Sequence, residues 1–129
     1  MSHFNDLIEL RYGWGHRPGD GSGLTDCFQL MCEVHRRLGL RDYAETFEWV
    51  YRSFAAEGVP RIRLARWLLQ NAKAATDQQP GDVALLAGTL VGAFATVSDV
   101  GGLLYISASR SVVHAPMVPS NLKLYRPLT

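Results

Sequence analysis

The chain reads as an α+β domain with N-terminal helices packed on a C-terminal antiparallel sheet, and three observations predict it. Apolar residues recur at helical spacing from residue 26 to about residue 75. Beyond Gln79-Pro80-Gly81-Asp82 the pattern changes to short apolar runs separated by turn residues, as in strands. With 129 residues, 47% hydrophobic and 19% charged, the chain fits one domain, 1–129, with a real core and no disordered stretch. Helices first and strands afterwards suit an α+β layering better than alternating βαβ units.

The elements follow in order. Residues 11–25, rich in glycine and polar groups, form a loop. It ends at Thr25-Asp26-Cys27, where Asp26 is a good N-cap and Gln29, three residues on, completes a capping box. Cys27, Leu30, Met31, Val34 and Leu38 make one apolar stripe, Glu33, Arg36 and Arg37 face away, and Gly39 stops the helix. A second helix spans Ala44–Ala55, with Phe47, Val50, Tyr51 and Phe54 on one face, and Gly58-Val59-Pro60 breaks it. A third runs from Arg61 to Ala75, turning Ile62, Ala65, Trp67, Leu68 and Leu69 mostly inward. The strands are Val83–Leu86, Leu90–Val97, Leu103–Ile106, Ser111–His114 and Leu122–Tyr125, with turns at residues 98–102 and 107–110.

Composition excludes several classes of partner. The formal net charge is +1, and Arg61, Arg63 and Arg66 fall at helical spacing, as on a solvated helix face. Nucleic acid is therefore not an expected partner. No segment approaches the roughly 18 apolar residues of a membrane span. The start, Met1 to Asp6, has no charged region followed by an apolar run, so no signal peptide is expected. Cys27 and Cys32 on one helix would stand roughly 8–9 Å apart, beyond disulfide reach, and their spacing makes no zinc site. No metal or cofactor is expected.

A thiol attacks only as the thiolate, and a helix N-terminus lowers its pKa. Cys27 would be the first residue after the N-cap, behind a glycine-rich loop, with free backbone N–H groups to receive an oxyanion. The same position also suits a plain apolar role beside Leu30 and Met31.

Tyr12-Gly13-Trp14-Gly15, a glycine-rich gap, Asp26-Cys27 and Phe28-Gln29-Leu30, with a helix closing on Arg36-Arg37-Leu38-Gly39-Leu40, resemble the NlpC-type cell-wall cysteine peptidases, in their phage-tail form. Pro80-Gly81-Asp82-Val83-Ala84-Leu85-Leu86 is similar to the Pro-Gly-Asp-Leu-Val-Phe-Phe that opens that family's sheet, and Tyr125-Arg126-Pro127 to its terminal strand. Gln29 departs from the pattern, which has Gly there. The resemblance covers almost the whole chain. It implies a papain-like fold, Cys27 at the nucleophile's position, Asp26 as helix cap, a base histidine opening the strand after Pro-Gly-Asp, and a third polar residue on the next strand.

The base is missing. If Val113-His114-Ala115 holds the third position, the base falls near Asp99–Gly101. If Tyr105-Ile106-Ser107-Ala108-Ser109 holds it, with Ser107 third, the base falls near Ala93–Ala95. The second register keeps Leu90–Val97 and Leu103–Ile106 as one hairpin and is preferred. Neither supplies a histidine. His16 belongs to the loop and His35 lies two helical turns beyond Cys27; His114 is the best substitute, as base or orienter. Two functions follow. One is a degenerate NlpC-type domain serving as a phage tail tip or baseplate component, in contact with other tail proteins and located in the virion after assembly in the host cytoplasm. The other is an active peptidoglycan endopeptidase cutting stem-peptide amides, with Cys27 as nucleophile and His114 recruited. A small amidase or acyltransferase would need the same base.

Overall fold

A computed structural model describes residues 4–40, 51–52, 61–86, 94–107 and 109–128, excepting the side chains of Arg61, Ile62 and Leu64. Helix α1, Cys27–Arg37, lies against one face of an antiparallel sheet that has six strands among the described residues. Helix α2 is Arg61–Asn71. Two short strands, β1 (Arg11–Tyr12) and β2 (Leu24–Thr25), pair in parallel inside the stretch expected to be pure loop. The sheet holds β3 (Ala72–Ala74), β4 (Val83–Leu85), β5 (Phe94–Val97), β6 (Leu103–Ile106), β7 (Val112–Ala115) and β8 (Tyr125–Pro127), in the order β3-β8-β4-β5-β6-β7.

The expected α+β layering is present. Its boundaries differ where tertiary pairing overrules local preference. The third expected helix stops at Asn71, because Ala72–Ala74 pair with Pro127–Tyr125 of β8 and Leu128 N–H donates to the Asn71 carbonyl at 2.8 Å. The last strand is Tyr125–Pro127, shifted from Leu122–Tyr125; residue 124 instead accepts one bond, from the Ala75 amide. Tyr51 and Arg52 are helical, while the rest of Ala44–Ala55 lies outside the described residues. The same holds for residues 90–93 of the strand expected over Leu90–Val97.

Alternation along the strands sorts side chains to two faces. Val83, Phe94, Leu104, Ile106 and Val112 meet Phe28, Leu30, Met31 and Val34 of α1, Trp67 and Leu68 of α2, and Phe4 and Leu7. Each of these large side chains contributes about 1.5–3 kcal/mol by leaving water. The opposite face is built from Ala84, Ala95, Val97 and Leu103, with Leu124, Leu122 and Val118 of the closing segment packed on it.

Helix α1 is buried on more than its expected stripe. Cys32 and His35 are wholly enclosed, and the His35 Nε2–H donates to the Gly81 carbonyl at 2.8 Å. The helix ends as its sequence predicts. Gly39, at φ +74, gives its N–H to Arg36 while Leu40 N–H reaches His35, the two bonds of a Schellman motif. Gly81 seats the other side of this junction: at φ +91, a Cβ there would lie 2.4 Å from Leu40 Cδ1.

Candidate functional site around Cys27

The site begins with Asp26. Its backbone is extended (φ −101, ψ 175), and its side chain accepts the Gln29 amide at 2.9 Å, so the N-cap stands as expected. The capping box is only half made. The Asp26 amide is already spent on the His16 carbonyl (3.2 Å), and the Gln29 side chain turns away to donate to the Tyr51 hydroxyl at 3.3 Å. The second carboxylate oxygen of Asp26 accepts two further donors, the Gly15 amide at 2.9 Å and the Tyr51 hydroxyl at 2.7 Å. One carboxylate thus ties together the first turn of α1, the Gly13–Gly15 segment and the helical residue Tyr51.

This hub is fully buried, at 0% exposure. Burial pushes the Asp26 carboxyl above the usual aspartate range, and donors from Gln29, Tyr51, Gly15 and Phe28 pull against that rise. Burial also drives the Tyr51 phenol far above its ordinary value, the Asp26 charge adding to the effect. Tyr51 therefore stays protonated and Asp26 has its lone pairs engaged. Neither is free to take a proton from a thiol.

Cys27 follows as the first residue of α1, only 3% exposed. Cys27 and Cys32 form no disulfide, as their spacing requires. Three aromatic rings surround this turn edge to face: Trp14 with Tyr51 at 5.1 Å, Trp14 with Phe28 at 6.2 Å, and Phe28 with Tyr51 at 6.4 Å. Phe28 then meets Phe94, the first described residue of β5, at 5.5 Å. The mouth of α1 therefore faces the start of β5. The N–H groups of Phe28 and Gln29, two of those expected to be free for an oxyanion, both point at Asp26.

Thr96 pairs Leu104 and Val97 pairs Leu103, so β5 and β6 form the hairpin that the second register requires. Asp99–Gly101, the base position of the first register, is the turn at the other end. In the second register, position 94 on the helix face is a phenylalanine, and Ala95 belongs to the opposite face. Ala93 lies outside the described residues.

His114 is not brought to Cys27. It pairs with Leu104, and its Nε2 lies 2.9 Å from Ser98 Oγ and 3.0 Å from the Gly101 carbonyl. A carbonyl only accepts, so Nε2 carries the proton and binds β7 to the β5–β6 turn. His114 is level with Thr96, two residues of strand or roughly 7 Å from the level of Phe94, and its ring reaches further away still, to Ser98 beyond the end of β5. Ser107 does sit at the Cys27 end, one residue past Ile106. Its hydroxyl, however, is 2.7 Å from Ser109 Oγ and donates to the Ser111 carbonyl at 3.1 Å, within its own turn. His16 is exposed and its Nδ1 is engaged with Asp20 at 3.1 Å. His35 is buried two turns along α1.

Two further pairings were not visible in the sequence. Tyr51 read as one apolar member of a helix stripe, and nothing local marks its bond to a residue 25 positions earlier. Asp82 and Arg126, each quoted above for its own motif, meet each other: Arg126 Nε and a terminal nitrogen bind the two Asp82 oxygens, both at 3.0 Å. Comparison with protein-family models, curated proteins and solved structures finds no match. Among the described residues no helix is long and apolar enough to cross a membrane.

Proposed function

We propose that the chain is a degenerate NlpC-type, papain-like domain that serves as a structural component of a phage tail tip or baseplate, carried in the virion and contacting other tail proteins. The observation that supports this most is the residue opposite the mouth of α1. Where an activated thiol needs an imidazole, the described strand offers Phe94, a ring with no lone pair to accept a proton. Without a base the thiol stays mostly protonated near neutral pH, and general-base assistance is worth roughly 10²–10⁴-fold in rate.

Two features add weight. Cys27 is enclosed rather than presented to solvent. His114, the best substitute, spends its Nε2 proton on the β5–β6 turn. The order of motifs along the chain supports the family reading, and Asp82 with Arg126 supplies a physical reason for two of them to occur together. The test is release of soluble muropeptides from purified peptidoglycan by the wild type and by Cys27→Ala. The expected result is no release above background from either. Release by the wild type that Cys27→Ala abolishes would instead establish the active endopeptidase.

A further inference from the structure

Cys27 is the first residue of its helix, where a thiol is ordinarily reachable, yet it is 3% exposed. What surrounds it at the described residues is specific. The residues on either side of it, Asp26 and Phe28, both touch Tyr51, one through a 2.7 Å hydrogen bond and the other ring to ring. Tyr51 also packs edge-on against Trp14, which is held in place because the next amide, Gly15, donates to the same carboxylate oxygen. Tyr51 and Trp14 both pack against the core cluster that contains Cys27. The two aromatic residues come from different parts of the chain, and Asp26 is their shared anchor.

We propose that Tyr51 is a positioning residue which, with Trp14, closes the mouth of α1 over Cys27, and that its hydrogen bond to Asp26 is the latch. The proposal rests on the reading that Cys27 occupies a nucleophile's position, but not on whether anything is cleaved there. Closure explains how a thiol at a helix N-terminus is kept from alkylating agents and oxidants. The latch is local: one hydroxyl proton and one buried carboxylate hold it, and Gln29 steadies the hydroxyl oxygen from the other side.

Iodoacetamide labelling at pH 8, read separately at each cysteine by mass spectrometry, tests this. Cys32, wholly buried further along the same helix, reports global opening. Tyr51→Phe keeps the ring and removes only the latch. It should speed labelling at Cys27 about tenfold, the scale on which one hydrogen bond to a charged acceptor shifts an opening equilibrium, and leave Cys32 unchanged. Trp14→Ala, which leaves the Tyr51–Asp26 bond in place, should also raise the Cys27-to-Cys32 ratio. A second readout separates a latch from simple packing. Tyr51→Phe removes a donor to the ionised carboxylate, so the Asp26 titration followed by carbon NMR should move to higher pH. An unchanged labelling ratio in both variants, equal acceleration at both cysteines, or an unmoved Asp26 titration would each overturn the proposal. None of these readouts uses substrate, so muropeptide release decides the functional reading independently.

Discussion

Glu9 and Arg110 hold backbone conformations that glycine normally takes, at φ +84 and +66. Glu9 N–H donates to the Val112 carbonyl while Val112 N–H donates to Leu10, so two residues face one across a bulge whose first position favours glycine. Arg110 closes the tight turn after β6, giving its N–H to Ser107 at 2.8 Å. A side chain in this region costs on the order of 1 kcal/mol. Glu9→Gly should therefore stabilise the fold by about 0.5–1 kcal/mol in urea unfolding. Arg110→Gly should gain less, because the guanidinium lies over the Tyr12 ring, 5.7 Å from its centre. The turn at residues 107–110 was expected but not its left-handed residue, and the bulge at Glu9 was not visible at all, since the usual signal, glycine, is absent from both positions. Asp26 was legible because capping is local. Tyr51 was not, because its partner is fixed by tertiary packing.

Among the elements, β8 is held by a side-chain ion pair as well as by its ladders to β3 and β4. Asp82, at the entry of β4, is 1% exposed, and Arg126 of β8 grips it with two bonds and reaches the Asp77 carbonyl and carboxylate with two more. Hydrogen bonding to Asp82 raises the Arg126 pKa further above its ordinary value. Arg126→Met leaves the buried Asp82 carboxylate with the Gln79 amide but no cation, and should lower the midpoint of urea unfolding. Combining it with Asp82→Asn should recover much of that loss, which a double-mutant cycle in urea would measure. The motif residues were readable separately, whereas their pairing across 44 positions was not. Element type was readable too, from period 3.6 giving way to period 2. The exceptions, Ala72–Ala74 and Tyr125–Pro127, are short segments with little strand character of their own that find each other as neighbours in the sheet.

For the whole molecule, the charge pairs set the acid limit. Asp6 is held below the usual aspartate range by hydrogen bonds from Arg37, Asp20 by Ser22 and Arg17, and Asp77 by Gln79 and Arg126. Burial raises Glu33, but the bonds from Arg36 and Arg37 outweigh it and leave it lowered. A lowered carboxyl adds stability above its unfolded value, 3.8 for Asp or 4.5 for Glu, and loses it as pH falls through the folded value. Asp26, raised by burial, acts with the opposite sign: its contribution is complete below 3.8 and declines as pH rises through its folded value. The melting temperature should therefore fall between pH 5 and about pH 3, and Asp26→Asn should make that fall steeper, as calorimetry across the range would register. The site's outline, a thiol at a helix mouth with no imidazole named beside it, could be read from residue types alone. Its closure could not, because that depends on which aromatic side chains the fold gathers there.

The strand order β3-β8-β4 has a consequence for how the chain is made. The strand between β3 and β4 is the last of the six to be synthesised, so β3 has no partner in the sheet until residues 125–127 emerge. A nascent chain halted before Tyr125 can assemble α1 against the meander from β4 to β7 but must leave Ala72–Ala74 unzipped, exposing a raw edge to neighbouring chains. Such late, long-distance closure slows maturation, and premature stops should yield clumping fragments instead of small working domains.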